Sequence, residues 1–238
     1  MVLKFLLFAA IFLFASCVAI ERNNPDDPGS SYFGKGKPPV GSCAVFVEGT
    51  EREHYGKSKH QFCDVRDNKK YVYVEINGQT WMAENLNYDA SDSKCYGREE
   101  SNCNTYGKLY NWAAANTACP KGWRLPSNDD WIALMKSINP GCYSISAYCI
   151  RVGTNLKTAN GWNDYNGTDD YGFSALPGGY GNSGGNFFDL GKNGTWWSAS
   201  DYNASDAYNL AMYDNTEAIS GFNIDKSSLH SVRCLMEN

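Results

Sequence analysis

Tyr71-Val72-Tyr73-Val74-Glu75-Ile76-Asn77-Gly78-Gln79-Thr80-Trp81-Met82-Ala83 is the stretch that decides how this chain reads. Two runs of β-branched and aromatic residues flank Asn-Gly. A type I′ turn needs positive φ at both central residues, and Asn-Gly tolerates that, so the stretch reads as a β-hairpin. Downstream, 106–118 reads as a helix around Ala113-Ala114-Ala115. A second helix is better marked. Ser127 stands at an N-cap with Asp130 three residues on, like a capping box. Trp131, Leu134, Met135 and Ile138 then fall on one helical face, and Asn139-Pro140-Gly141 ends it. Residues 141–194 read as loop. Short β-type segments return at 196–199, 208–213, 218–224 and 231–235. Upstream, 43–47 reads as a short strand and 51–60 as a polar loop. The expected class is α+β: two helices, a small sheet and a long irregular region, of the kind that is functional or covalently stapled.

The N-terminus points to export. Lys4 precedes the apolar run 5–14, which is too short to span a bilayer and fits a signal-peptide core. Ala15-Ser16-Cys17 after Phe14 resembles a bacterial lipobox, in which Cys17 is acylated and becomes the new N-terminus. The usual Leu is replaced by Phe14, and an ordinary signal peptide cut near Ala19 is the alternative. Residues 17–41 are dense in Pro, Gly and Asn and read as a tether. The chain thus divides into a signal peptide (1–16), a tether (17–41), an N-terminal extension (42–63) and one domain (64–238).

Export changes what the cysteines mean. Of nine, Cys17 goes to lipid, leaving Cys43, Cys63, Cys95, Cys103, Cys119, Cys142, Cys149 and Cys234. An even number in an oxidising compartment implies four disulfides of open connectivity. No Cys-x-x-Cys occurs, and His54, His60 and His230 are scattered, so zinc is not expected. Net charge is −5 with no basic stripe, which argues against nucleic acid. Aromatics at 14% exclude a disordered chain.

Several segments carry a resemblance. Trp81-Met82-Ala83-Glu84-Asn85-Leu86-Asn87-Tyr88, Cys95-Tyr96-Gly97, Tyr106-Gly107-Lys108-Leu109-Tyr110-Asn111-Trp112 and Cys119-Pro120-Lys121-Gly122-Trp123-Arg124-Leu125-Pro126 are four of them. Gly167-Thr168-Asp169-Asp170-Tyr171-Gly172-Phe173-Ser174-Ala175-Leu176-Pro177 and Ser231-Val232-Arg233-Cys234 complete the set. In this order they resemble the Fibrobacter succinogenes major paralogous domain family, over about 64–234. That family is known mostly from surface-exposed or secreted proteins, often lipoproteins, and has no established activity. Trp123-Arg124-Leu125-Pro126…Trp131 also resembles formylglycine-generating-enzyme-like domains, with Asp130 where Glu is usual. The resemblance implies a C-type-lectin-like fold: two helices, a small antiparallel sheet and a long loop region, stapled by disulfides. It implies a Cys119–Cys234 bridge, worth about 4–5 kcal/mol in the chain-entropy model. Cys95–Cys103, Cys142–Cys149 and Cys43–Cys63 follow as neighbours. The copper-holding cysteine pair of the oxidases is absent, since only Cys234 stands in that region, so that activity is not expected.

No catalytic residue stands out, and no enzyme activity is expected. Gly181-Asn182-Ser183-Gly184-Gly185 fits Gly-x-Ser-x-Gly but lacks the strand and helix of a hydrolase elbow. Asp164, Asn166, Asp169 and Asp170 place oxygen ligands close together, as calcium requires; the alternative is turn chemistry. Calcium is the one candidate cofactor. Trp162, Tyr165, Tyr171, Tyr180, Trp196 and Trp197 are the candidate ligand-binding aromatics, since such rings suit a half-wet surface and stack on sugars. The alternative for each is core. The expected function is a lipid-anchored binding or adhesion module at the outer membrane or cell surface, recognising a polysaccharide or a surface protein. A structural envelope lipoprotein is the second reading, and an enzyme of unrecognised type the third.

Overall fold

A computed structural model describes residues 52–54 and 57–237. Cys17, Cys43, the signal peptide, the tether and the 43–47 segment lie outside the described residues. The hairpin forms as read: β3 (Lys69–Ile76) and β4 (Gln79–Met82) pair antiparallel, with Val74 opposite Trp81. Asn77 at φ 50° and Gly78 at φ 76° make the turn. Two strands precede it, β1 (Arg52–His54) and β2 (Lys57–Asp64), where a polar loop was expected. Main-chain pairing of Phe62 with Tyr71 and of His60 with Tyr73 carries β2. Phe62 stacks on Trp123 at 4.4 Å, which gives that polar stretch an apolar anchor.

The chain continues through β5 (Ser93–Lys94), a 3-10 turn at Tyr96–Arg98, α1 (Glu100–Tyr106), β6 (Leu109–Tyr110), α2 (Trp112–Ala118), β7 (Trp123–Arg124), α3 (Asn128–Ile138) and α4 (Val152–Leu156). It closes with β8 (Tyr180–Gly181), β9 (Phe187–Phe188), β10 (Asn193–Asp201), β11 (Asp206–Tyr213), β12 (Ile219–Asp225), β13 (His230–Ser231) and β14 (Leu235–Met236). One six-stranded sheet runs β1-β2-β3-β4-β14-β7 and the other β12-β11-β10-β13-β6-β5, with β8-β9 a separate ribbon.

This corrects the expected fold class. Among the described residues strands dominate, in two six-stranded sheets, and there are four short α-helices rather than two. The second sheet is also mixed, because β10 and β13 run parallel. The two-helix, small-sheet, C-type-lectin-like arrangement is therefore not what forms. The helix expected at 106–118 is broken as well. At Gly107, φ 75°, a Cβ would lie 2.8 Å from the backbone oxygen of Leu86, so the chain leaves the helix there. It enters β6 and restarts as α2, capped by Asn111 Oδ1 accepting from the Ala114 amide at 2.8 Å.

The last residues tie the sheets together. β13 lies in one sheet and β14 in the other. Between them, the Val232 and Cys234 carbonyls accept from the Leu86 and Met82 amides. Cys234 is bonded to Cys119, beyond α2. Successive strand residues point to opposite faces, so the adjacent Trp196 and Trp197 enter two different cores. Trp196 joins Trp81, Trp131, Leu134, Phe173 and Leu210. Trp197 joins Tyr110, Ala115, Val232 and Cys234.

α3 follows its sequence closely. Ser127 Oγ and the Asp130 carboxylate cap it reciprocally, and Arg124 makes a bidentate pair with Asp130 at 2.6 and 2.9 Å. Burial raises the Asp130 pKa, but the bonds from Arg124 and Ser127 outweigh it and the net shift is downward. A lowered carboxylate stabilises above its unfolded pKa and loses that as pH falls through the folded one. Arg124 is 42% exposed, so the cap carries more than the ion pair. Asp130→Asn is expected to cost about 1–2 kcal/mol at neutral pH. Urea titrations of both proteins from pH 7 downward should show the difference shrinking below the ordinary carboxylate range.

Candidate functional site

The most polar place in the interior is Arg233, which is fully buried. Its guanidinium donates to Asn85 Oδ1 at 2.7 and 3.1 Å, to the Met82 carbonyl at 3.2 Å, and to the Phe173 and Ser174 carbonyls. It also lies 4.5 Å from the Phe173 ring. Asn85 Oδ1 takes a further bond from Trp196 Nε1 at 2.8 Å, and Asn85 Nδ2 donates to the Tyr106 carbonyl. Burial pulls the Arg233 pKa down to about 9, opposed by the more distant charges of Glu84 and Asp169. With every hydrogen-bond partner neutral, this group joins β4, β10, the β13–β14 connection and the loop at 173–174 between α4 and β8. It is a framework node, enclosed on all sides.

Two other buried titratable groups behave similarly. Lys157 donates to the Tyr165, Tyr213 and Thr216 carbonyls at 2.9–3.0 Å, and burial lowers its pKa. His230 meets Thr195 Oγ1 at 2.8 Å through Nδ1 and lies edge-on to Trp197 at 4.5 Å. Burial drops its pKa to about 3, so it is neutral at physiological pH.

The structure divides the six candidate ligand aromatics. Trp162, Trp196 and Trp197 are core, at 4%, 0% and 0% exposure. Their indole N–H groups go to the Ala175 carbonyl, Asn85 Oδ1 and the Tyr110 carbonyl. Tyr171 packs half-buried against the same core as Trp162. Tyr180 is half-buried between Phe188 and His230, 5.6 and 6.0 Å away. Tyr165 alone of the six is well exposed, at 66%.

Two of the four calcium candidates, Asn166 and Asp169, are committed to turns. Asn166 Oδ1 accepts from the Trp162 amide at 3.0 Å, and the Asp169 carboxylate takes the Ser174 amide and hydroxyl at 2.7 and 2.8 Å. Asp164 and Asp170 face solvent. Among the described residues, Cys95, Glu100 and Cys103 are the group that brings metal-type ligand atoms within 4.8 Å. Its sulfurs are joined as a disulfide, which removes the thiolates a metal would need. Ser183 sits in the β8–β9 turn, where Asn182 and Asn186 bond each other's backbone, and on no hydrolase elbow.

The remaining aromatics of interest lie where the sequence reading saw only loop. Cys142 and Cys149 are bonded and bracket a short loop. Ile145 is buried, and its carbonyl accepts from the Gly221 amide at 2.8 Å. Cys149 exchanges both backbone bonds with Ile219, an antiparallel bridge that ties the loop to the β12 edge. Asn139 Nδ2 holds the Ile150 carbonyl at 3.2 Å. From this anchored frame Tyr143, Tyr148 and Ile150 project into solvent at 78%, 59% and 53% exposure. An aromatic pair just inside a disulfide, in a stretch without charge, is the signal that could have found them.

Residues 74–236 match the Fibrobacter succinogenes major domain. The chain belongs to this family. No curated protein and no solved structure matches it. Within the range that matches the Fibrobacter succinogenes major domain, Trp81, Asn85, Leu86, Tyr110, Trp123, Phe173, Val232, Arg233 and Cys234 are all buried. The three disulfides whose two cysteines are both described, Cys95–Cys103, Cys119–Cys234 and Cys142–Cys149, all lie within the matched range. Cys63 is disulfide-bonded too, while Cys43 lies outside the described residues. These buried residues serve the fold. The stapled loop at 142–149 lies inside the matched range, between the segments quoted above for the resemblance.

Proposed function

We propose that this protein is an exported, lipid-anchored binding module, tethered through Cys17, that meets its ligand with aromatic side chains held rigidly outward. The observation that carries the reading is the stapled loop. Exposed Tyr143, Tyr148 and Ile150 stand on a segment fixed by a disulfide, a core residue and an antiparallel bridge. Apolar groups exposed close together in sequence form the kind of patch that marks an interaction site. Fixing them beforehand removes ordering entropy that binding would otherwise cost. Tyrosine suits such a surface because it offers a large face and a polar tip with only two torsions. Display at the outer membrane or cell surface, with a polysaccharide or a surface protein as ligand, is the matching context. A purely structural envelope role is the second reading, favoured by the burial of the residues around Arg233.

The test is saturable binding of the oxidised protein to an array of surface polysaccharides and envelope proteins. Saturable binding that a Tyr143→Ala/Tyr148→Ala variant loses, with near-UV circular dichroism unchanged, is the expected result. Absence of saturable binding across the array would leave the structural reading in its place.

A further inference from the structure

Charge and size at the stapled loop narrow the ligand. Residues 137–150 contain no charged side chain, and neither does the β12 segment 219–223 that the loop pairs with. Lys136 and Arg151 stand at the two ends as single cations, and the chain as a whole carries −5. Recognition of an anionic polymer relies on clustered Arg and Lys, which this surface does not offer. A protein partner is disfavoured by size. A stable protein interface takes about 800 Å² and roughly 20–30 residues from each side. Here the outward-facing apolar groups are Tyr143 and Tyr148 in the loop, Ile150 just after it and Phe222 on the adjoining β12, a patch far smaller than that. A few sugar rings need far less area, stack on tyrosine faces, and find hydroxyl partners in Ser146 and the phenol tips.

We infer that the loop closed by Cys142 and Cys149 is a docking site for an uncharged polysaccharide, with Tyr143 and Tyr148 as the stacking faces. This rests on the binding-module reading and names its ligand class. Binding carried by ring stacking is insensitive to salt, whereas binding carried by ion pairs weakens as the Debye length falls from about 14 Å to about 4 Å between roughly 50 and 500 mM salt.

The experiment is affinity electrophoresis of the oxidised protein in gels containing mixed-linkage β-glucan, xyloglucan, glucomannan or polygalacturonate, at both salt levels. At least one neutral polymer should retard the parent, with apparent Kd changing by less than about twofold with salt. Tyr143→Ala/Tyr148→Ala should weaken that retardation at least about tenfold. Tyr165→Ala and Tyr180→Ala should leave it unchanged. Retardation by polygalacturonate alone, falling with salt, overturns the inference. So does neutral-polymer binding that survives the double substitution. If no polysaccharide binds but an envelope protein binds through Tyr143 and Tyr148, the inference fails and the binding-module reading stands. If nothing binds, both fail.

Discussion

Arg233→Met is expected to destabilise the oxidised protein by about 3–5 kcal/mol, read from guanidinium unfolding. Met keeps most of the volume and removes every donor. The Met82 and Phe173 carbonyls and one lone pair of Asn85 Oδ1 then lose their guanidinium donor inside the core. Each stranded acceptor costs about 1–3 kcal/mol. Relief from burying a cation works the other way, since burial lowers the Arg233 pKa to about 9. The stranded acceptors win, because they are several and belong to backbone that cannot turn away. Arg233→Lys should recover little. A single ammonium on a flexible stem cannot reach acceptors spread around a planar fork. A loss under about 1 kcal/mol for Arg233→Met would show that the node contributes specificity rather than stability.

The second large effect is expected from the disulfide that ties α2 to the last strand. Cys119 and Cys234 are 115 residues apart in sequence. Constraining so long a loop stabilises by about 4–5 kcal/mol in the chain-entropy model. The paired substitution Cys119→Ser/Cys234→Ser should lose an amount of that order and abolish β14's docking first. Cys142 and Cys149 are separated by 7, so their removal should cost only about 2–3 kcal/mol. Equilibrium unfolding of the two double variants against the parent gives the ranking. Equal losses would mean that native contacts around each bridge, rather than loop length, set its worth.

How much was legible follows from where each element gets its stability. The β3–β4 hairpin and α3 carry their instructions locally, in Asn77-Gly78 and in Ser127 with Asp130, and both form as read. β5, β6, β7, β13 and β14 are two residues each. No period can show in so short a run, and such strands exist only because tertiary neighbours supply their hydrogen bonds. That is why the sequence reading gave a small sheet where two six-stranded sheets form. β10 misled for a related reason. It is covered on both faces, so Trp196 and Trp197 are both buried, and the alternation that marks a half-wet strand is missing. Of the candidate ligand residues, Tyr165 stays exposed and Tyr180 half-exposed, while the three tryptophans are core. Tyr143 and Tyr148 were passed over because 141–194 offered richer Gly and Asp patterns than the short cysteine pair at its start.

On the proposed reading labour is divided: the buried residues around Arg233 fold the domain, and the stapled loop recognises. Thermal unfolding of Arg233→Met and Tyr143→Ala/Tyr148→Ala beside the parent tests it most directly. The account predicts a Tm drop on the order of 10 °C for the Arg233 variant and about 2 °C or less for the tyrosine pair. A tyrosine variant that melts as low as the Arg233 variant would make the loop part of the framework and contradict the claim.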